Sequence, residues 1–361
     1  MEFEFIDRHD CPETFETHAE AYVIRRQLDY RYLANFRAYQ AAYSGTIVRD
    51  ASFLIQKRGQ IVGMVYAPIE QRGDRLSITI GGGYIPAPAV DNEDVERVAF
   101  ARLDEIAQSH RVIKVSIHTS LTDDVWQWNR FRAYGFVDTS VLDAIVDLRL
   151  DEAAIRRSLR KSYRALVNKY SNNNGYNIVV VNNRSADYDL HEQYRHLHAK
   201  CAGRVTRSKE TFDLQYKMLM DGNATLILMT KDQYTLGSSY FHHHGSRVDY
   251  MSMADDPDFA EQKLPISHVM VWAAVRHFKA AGYHQIRLSS PAGFSLCEGY
   301  GAYAEPKELG IGHFKHGMAT GLTTYFRGIR YYCADTLQRD LDAFTSAIKH
   351  SFGANCNATP E

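Results

Sequence analysis

Hydrophobic and polar residues alternate in two similar segments, one in each half of the 361-residue chain. Residues 51–80 read ASFLIQKRGQIVGMVYAPIEQRGDRLSITI, and residues 224–254 read ATLILMTKDQYTLGSSYFHHHGSRVDYMSMA. In each segment, polar turn signals such as KRGQ, QRGDR, KDQ and HHGSR separate the apolar runs. This alternation is typical of antiparallel hairpins, so each segment is predicted to form a three-stranded meander.

A helix and a further strand are predicted after each meander. The first copy reads NEDVERVAFARLDEIAQSHRVIKVSIHT, with Asp94 as the expected N-cap, and the second reads PISHVMVWAAVRHFKAAGYHQIRLSSP, with Gly282 as the expected C-cap. Apolar residues recur at helical spacing in the second copy. Helices are also expected before the meanders, near residues 12–43, 187–201 and 208–220, with Ser208 capping the last.

The repeated order predicts an α/β protein of two tandem domains. A helix between the meander and the next strand allows parallel pairing, so each domain should contain a mixed, mostly antiparallel sheet flanked by helices. The N-terminal domain is predicted to span residues 1–149 and the C-terminal domain, with the presumed active site, residues 150–335. Residues 336–361 are predicted to form a C-terminal helix and a frayed tail.

Composition argues against several classes of protein. Lys and Arg total 42 against 43 Asp and Glu, so a globally basic nucleic-acid binder is disfavoured and only a local basic patch fits. The five cysteines include no C-x-x-C pair, which indicates free thiols in a reducing compartment. No apolar signal core or run of about 20 apolar residues is present, so a cytoplasmic protein without an integral membrane segment is expected.

The order of elements resembles a duplicated Gcn5-related N-acetyltransferase (GNAT) fold, and tandem GNAT halves resemble the FemABX family. DLRLDEAAIRRSLRKSYRALVNKY looks like the family's junction strand and basic helix, and PISHVMVWAAVRHFKAAGYHQIRL like its penultimate helix and strand. GIGHFKHGMATG resembles the C-terminal FK-x-G signature, although Met318 replaces the usual Phe. The resemblance implies an amide-forming transferase without a cofactor, using aminoacyl-tRNA as donor. The implied acceptor is an amine of a peptidoglycan, cell-envelope glycan or nucleotide-linked precursor.

The sequence lacks a recognisable pyrophosphate loop for acyl-CoA. GNAT enzymes that use acyl-CoA normally show Q/R-x-x-G-x-G/A, whose amides hold the pyrophosphate at the start of a helix. KELGIG has Lys307 where Gln or Arg belongs, and no helical pattern is recognised after it. ADDPDFAEQKLPIS, at the expected place before residue 266, offers two aspartates and no glycine. Aminoacyl-tRNA is therefore favoured over the alternative donors, acyl-CoA and acyl-carrier protein.

Lys315 is the main candidate for chemistry. Acyl transfer from an ester to an amine passes through a tetrahedral oxyanion, which a fixed cation stabilises; the same cation can bind a carrier phosphate. The resemblance places the lysine of FK-x-G in the family's active-site channel, whereas an exposed loop lysine is the alternative. His313 and His316 flank Lys315, and one of them, or one of residues 242–244, could act as base for the amine.

Candidate substrate contacts come from several segments. The basic helix in DEAAIRRSLRKSYRALVNKY is predicted to place Arg157, Lys161 and Arg164 on one face, to bind phosphates of the tRNA acceptor arm or of a nucleotide-linked acceptor. A solvated charged face is the alternative. The remaining candidates are Arg204 and Arg207 as anion contacts, Tyr84 in GGGY, Tyr240, and Asp255, which could hold an amino group or cap a helix.

The triplet His242-His243-His244 is not predicted to bind a metal. Alternate strand residues face opposite sides, so only His242 and His244 would converge, and no carboxylate or cysteine stands at a suitable spacing. The chain also lacks a G-x-S-x-G elbow, so a serine nucleophile has no support. A non-catalytic binding module on the same fold is the further alternative to an enzyme.

Overall fold

Helices, a four-stranded sheet and a seven-stranded sheet form the N-terminal part of the protein. The computed structural model describes residues 3–119, 127–171, 175–289 and 306–355. The first helices are α1 (Pro12–Arg26), α2 (Ala34–Ser44) and α3 (Glu93–Ser109). The first strands are β1 (Glu4–Asp7), β2 (Ile47–Asp50), β3 (Phe53–Lys57), β4 (Gln60–Val65), β5 (Pro68–Arg72), β6 (Arg75–Ile78), β7 (Ile85–Pro86), β8 (Ala89–Val90), β9 (Lys114–His118), β10 (Val137–Asp138) and β11 (Val141–Asp147).

The C-terminal part builds one large sheet with helices around it. Its helices are α4 (Glu152–Ser158), α5 (Lys161–Ser171), α6 (Tyr188–Ala202), α7 (Lys209–Met220), α8 (Ile266–Ala280), α9 (Pro306–Met318) and α10 (Ala334–Asn355). Its strands are β12 (Asn177–Val181), β13 (Ala224–Lys231), β14 (Tyr234–His244), β15 (Arg247–Asp255), β16 (Gln285–Arg287), β17 (Gly321–Tyr325) and β18 (Arg327–Tyr331). Helix α10 forms the predicted C-terminal helix and also includes residues 352–355 of the tail FGANCNATPE, which was predicted to fray. Residues 356–361 lie outside the described residues.

The predicted mixed sheets are confirmed. One sheet has the order β1-β3-β4-β8, and a second has β10-β18-β9-β6-β5-β2 with β7 also on β9. The third has the order β12-β13-β14-β15-β16-β11-β17, and only its β15–β16 pair is parallel. The second predicted meander is the antiparallel run β13-β14-β15. The first is wrong in detail, because buried Tyr66 and Ala67 separate hairpin β3–β4 from hairpin β5–β6, which lies in another sheet.

Each half of the chain contributes a strand to the other half's sheet. Strand β11 precedes the predicted boundary at residues 149 and 150, yet it lies between β16 and β17 of the third sheet. Strand β18 comes near the C-terminus, yet it lies between β10 and β9 of the second sheet. The predicted domain limits stay a prediction, and hydrogen-bonded pairing crosses them in both directions.

Two of the three predicted helix-capping residues are confirmed. Ser208 caps α7 as expected, since its Oγ accepts a hydrogen bond from the Thr211 N–H at 3.3 Å. Gly282 follows α8 with φ +83°, a left-handed conformation that suits glycine at a helix end. The prediction of Asp94 as a cap is wrong, because Asn92 accepts the hydrogen bond from Val95 at the start of α3.

The predicted single basic helix is two helices, α4 and α5. Leu159 has extended backbone angles and a buried side chain, which turns the chain between them. The N–H of Arg160 donates a hydrogen bond to the carbonyl of Gly317, 2.9 Å away. Arg157 therefore lies on a different helix from Lys161 and Arg164, and the predicted common face of the three does not form.

The largest hydrophobic core lies between the third sheet and helix α8. Trp272 and Phe278 of α8 pack against apolar residues of β13 to β16, and Met318 at the end of α9 is also fully buried there. This packing fixes α8 and α9 beside the point where β15 and β16 run parallel. Among the described helices, none is both long and apolar enough to cross a membrane.

Candidate active site

The parallel pair β15–β16 opens at its carboxyl end. Three residue pairs join the two strands, the last being Asp249 with Arg287. Strand β15 continues from there to Asp255, paired with β14 on its other side. Among the described residues, no strand pairs with the edge of β15 beyond Asp249, so the sheet is open at this point.

Lys315 lies on helix α9, next to this opening, and its side chain is half-buried. The expectation of a loop without a helical pattern was wrong, because KELGIG and the lysine both belong to α9. Burial lowers the pKa of Lys315, Arg287 lowers it further, and Asp143 opposes the shift by favouring the charged form. Lys315 is thus a partly desolvated amine coupled to a buried ion pair.

An alternating row of buried charges leads to Lys315 and joins the two halves of the chain. Arg31 forms ion pairs with Asp29 (Nη1 to Oδ2, 2.7 Å) and with Asp249. Arg287 pairs with Asp143 and lies 3.5 Å from Asp249, measured from Nη1 to Oδ2. Burial would raise the pKa of Asp249, but Arg31 and Arg287 outweigh it and hold the pKa below its ordinary value. The row therefore stays charged because each ion has an opposite neighbour.

Two aromatic rings extend this row toward the N-terminal sheet. The guanidinium of Arg287 lies 3.9 Å from the ring centroid of Tyr325. The ring of His118, at the end of β9, is 5.2 Å from that of Tyr325. Burial and the charge of Arg31 hold the pKa of His118 well below its ordinary value, so the imidazole is neutral. Both halves of the chain thus supply residues to the same polar centre.

The residues of this row were not among those predicted from the sequence. Asp249 in RVDYMSM and Arg287 in HQIRLSS are charged side chains in predicted strands, and Asp143 stands in the apolar run VLDAIVD, for which no strand was predicted. Such a residue is rarely buried without a partner, so it signals an ion pair. This signal was available, but it does not say which residues pair with each other.

The glycine of FK-x-G has a steric explanation. A Cβ on Gly317 would lie 2.3 Å from Cε2 of Tyr163, so the ring of that tyrosine occupies the space of a side chain. The hydrogen bond from Arg160 to Gly317 joins the same two segments. The signature therefore fixes α9, and with it Lys315, against the start of α5.

Several predicted substrate contacts have partners inside the protein. Arg207 donates hydrogen bonds to the hydroxyls of Tyr39 and Tyr194, and its guanidinium lies 4.1 Å from the ring centroid of Phe212. Tyr240 is fully buried, with its hydroxyl 2.7 Å from Nδ1 of His191. These contacts place Arg207 and Tyr240 around α6 and α7 instead of beside Lys315.

Other predicted contacts remain accessible. Lys161 is exposed and Arg164 half-exposed on α5, and Arg204 is exposed on the loop after α6. The hydroxyl of Tyr84 lies 3.0 Å from that of Thr139, and the guanidinium of Arg327 lies 4.6 Å from its ring centroid. Because Arg327 pairs with His118 across β18 and β9, Tyr84 borders the polar centre from the N-terminal side.

Asp255 lies at the end of β15, beyond the residues that pair with β16. One of its carboxyl oxygens accepts a hydrogen bond from the hydroxyl of Ser267, in the first turn of α8, at 3.2 Å. Burial raises the pKa of Asp255. The neighbouring Asp256 instead caps a 3₁₀ turn (Pro257–Gln262) by accepting from the Asp258 N–H at 3.0 Å. A carboxyl group thus faces the start of α8, where an acyl-CoA enzyme would hold pyrophosphate.

The histidine candidates differ in their surroundings. His313 and His316 are exposed on α9. His242 is fully buried beside Gln215, and His243 lies between the hydroxyls of Thr225 (3.0 Å) and Tyr283 (2.7 Å). His244 contacts the carbonyl of Leu28 through Nδ1 at 2.6 Å. The triplet therefore contributes hydrogen bonds within the fold.

Two further features bear on anion and metal binding. The N–H groups of Gly81 and Gly82 donate to the buried carboxylate of Glu70, at 2.7 and 2.9 Å, so GGGY already holds an internal anion. Within the described ranges, the residues close enough to share a metal ion are His191, Glu192 and Asp213. Their two carboxylates already pair with Arg195 and Lys209. The polar centre near Lys315 remains the candidate active site.

Comparison with known proteins agrees with this architecture. Residues 157–295 match the model of the acetyltransferase (GNAT) domain family. The fold is similar to that of FemX, with a TM-score of 0.65 and 13% identity over 90% of this chain and 97% of FemX. L-PGS from Bacillus licheniformis gives a TM-score of 0.57 and 13% identity over 92% of this chain and 96% of L-PGS. A search of curated proteins finds no match.

A third similar structure is the C-terminal domain of a putative lysylphosphatidylglycerol synthetase from Agrobacterium fabrum. Its TM-score is 0.57 and its identity 12%, over 92% of this chain and 95% of that domain. The matched domain and the similar structures together define a GNAT-type fold. Within that class, the tandem FemX-like arrangement predicted from the sequence is confirmed at the level of the fold.

Proposed function

We propose that the protein forms an amide bond by transferring an aminoacyl group from aminoacyl-tRNA to an amine of a cell-envelope glycan, peptidoglycan or nucleotide-linked precursor. The observation that carries this proposal is the partly desolvated Lys315 beside the Arg287–Asp143 pair, at the opening between β15 and β16. The fold similarity to FemX and to a putative lysylphosphatidylglycerol synthetase, whose name describes an aminoacylated lipid, supports this donor class. The proposed location is the cytoplasm.

The reaction needs no covalent enzyme intermediate. The acceptor amine attacks the ester carbonyl carbon, the new C–N bond forms, and the ester C–O bond to the tRNA ribose breaks. The amine loses a proton, and the ribose oxygen takes one up. Lys315 stabilises the oxyanion of the tetrahedral intermediate, and Asp143 favours the charged form of the amine against burial and Arg287.

The surroundings of α8 favour a carrier other than acyl-CoA. Pro265 precedes the helix without a side-chain cap, and the Asp255 carboxyl faces the first turn through Ser267. A carboxylate here repels pyrophosphate and attracts an ammonium group, which suits an amine acceptor. Lys161 and Arg164 on α5 supply cations for the phosphates of the tRNA acceptor arm.

Replacing Lys315 tests the proposed mechanism. Lys315→Met keeps most of the packing volume but removes the charge, so kcat with charged tRNA should fall about 100- to 1000-fold. Thermal melting should be unchanged, and the exposed Lys217 offers a matched control, Lys217→Met, with unaltered turnover. Mass spectrometry of amine-bearing envelope precursors after incubation with charged tRNA pools gives the rate. An unchanged kcat in Lys315→Met would remove Lys315 from the mechanism.

The matched acetyltransferase domain favours a second candidate, an N-acyltransferase that uses acyl-CoA or acyl-carrier protein and acts on an amino sugar or amino acid. Donor tests with RNase-treated enzyme separate the two. Saturable product formation from acyl-CoA or acyl-carrier protein, with none from charged tRNA, would replace the first proposal with this one. Loss of activity after RNase treatment of the tRNA pool supports aminoacyl-tRNA.

A further inference from the structure

Within the described part of the chain, the ring nitrogens of one histidine beside the candidate active site are buried and have no hydrogen-bond partner. His268 lies in the first turn of α8, and both of its ring nitrogens are inaccessible to solvent and without a partner. Burial lowers the pKa of His268 to about 4, so the ring is neutral at pH 7. A neutral imidazole offers one N–H donor and one acceptor nitrogen. Leaving both unused in a folded protein is costly, which calls for an explanation.

The ring of His268, on α8, packs against helices α5 and α9, which carry other residues of the candidate site. Its centroid is 4.3 Å from that of Tyr163 on α5 and 4.9 Å from that of Phe314 on α9, both in edge-to-face contact. Phe314 directly precedes Lys315, and the guanidinium of Arg160 lies 5.7 Å from the Tyr163 ring centroid. The imidazole therefore lies between the basic segment proposed to bind RNA and the lysine proposed to act on the ester.

Packing alone does not require a histidine at this position. A phenyl ring would make the same edge-to-face contacts and would carry no polar atoms. The residue is only half-buried, and a half-turn about χ2 exchanges each ring nitrogen with a carbon. Such a flip changes the positions of the nitrogens without moving the two aromatic neighbours of the ring.

We propose that His268 binds a hydroxyl of the terminal ribose of the donor tRNA, with the rings of Tyr163 and Phe314 packed around it. A hydroxyl both donates and accepts, which matches a neutral imidazole, whereas a phosphate has no proton to donate at neutral pH. This inference rests on the proposed function, because it takes the donor to be tRNA. The contact positions the ribose that leaves when the ester bond breaks.

Binding of uncharged RNA tests this contact without turnover. The probes are a fluorescent acceptor-arm minihelix ending in CCA and the same RNA with a 2′,3′-dideoxy terminal adenosine. The wild-type protein should bind the hydroxyl-bearing RNA about tenfold more tightly, as measured by fluorescence anisotropy. His268→Phe should bind both RNAs with the weaker affinity. His277→Phe, which changes another histidine of α8, should keep the tenfold preference.

The outcomes separate this inference from the proposed function. Equal binding of the two RNAs by the wild-type protein, or a full preference in a folded His268→Phe, overturns the ribose contact even if charged tRNA is turned over. A tenfold preference without turnover of any charged tRNA supports the contact and contradicts the proposed reaction. His268→Phe should melt at or above the wild-type temperature, because the unused polar atoms are gone. Should that variant not fold, His268→Leu provides the same comparison.

Discussion

At the level of single residues, two glycines of α9 differ in whether there is space for a side chain. A Cβ on Gly317 would lie 2.3 Å from the Tyr163 ring, whereas a Cβ on Gly310 would meet no atom of the described residues within 4 Å. Gly317→Ala should therefore lower the free energy of unfolding by about 1–3 kcal/mol, since the ring must shift. Gly310→Ala should raise it by up to about 1 kcal/mol through helix propensity. Urea denaturation of both variants measures the difference.

A second substitution checks that Tyr163 is the cause. In a Tyr163→Leu background, Gly317→Ala should cost less, because the ring that fills the space is gone. A double-mutant cycle gives the coupling between the two positions. Equal unfolding free energies for Gly317→Ala and Gly310→Ala would contradict the steric explanation for the FK-x-G glycine.

The residues of the candidate site differ in how far the sequence could predict them. Lys315 was found because a short linear motif carries it. Asp143, Asp249 and Arg287 are far apart in the chain, and only the pairing of β15, β16 and β11 brings them together. In the sequence, His268 is an ordinary position of an amphipathic helix. It stands out only in the structure, where its ring nitrogens have no hydrogen-bond partner among the described residues. Proximity of this kind depends on sheet order, which local patterns do not specify.

At the level of elements, strand β14 carries two histidines that stay neutral in the interior. Burial lowers the pKa of His242 to about 3 and that of His243 to about 4, against about 6.5 in an unfolded chain. Between these values the unfolded chain binds protons that the folded chain does not, so stability should fall as the pH drops from about 6.5 toward 4. Each of the two histidines should lower the free energy of unfolding by up to about 1.4 kcal/mol for each pH unit of this drop.

Urea denaturation at pH 7 and pH 5 checks this dependence. His242→Gln removes one titrating group from the core, so its loss of stability between the two pH values should be smaller than that of the wild type. His196 is exposed, and His196→Gln should lose as much stability as the wild type. A variant at position 242 with the full wild-type loss would show that other groups cause the acid sensitivity.

Most helices and strands could be predicted from periodicity and turn residues, but three elements were not. Helix α9 contains three glycines, which hide its helical pattern, although packing of Gly317 and Met318 holds it in place. The basic helix breaks at Leu159, which turns inward to the core. The first meander divides between two sheets. In each case long-range packing overrode the local preference.

At the level of the whole molecule, strand exchange should make the two halves depend on each other. A fragment of residues 1–149 lacks β18, the neighbour of β9 and β10, and a fragment of residues 150–361 lacks β11, which joins β16 to β17. Each fragment alone should show no cooperative thermal transition by circular dichroism. Fragments produced together should associate and melt as one unit. A stable monomeric fragment 150–361 with a sharp transition would contradict this expectation.

The exchanged strand β18 also has a consequence for synthesis on the ribosome. Roughly 200 residues separate β9 from β18, so at about 5–20 residues per second their emergence differs by some 10–40 s. During that interval β9 presents an unpaired edge, which can pair with other nascent chains. Protection of that edge by chaperones should therefore raise the yield of folded protein in a cell.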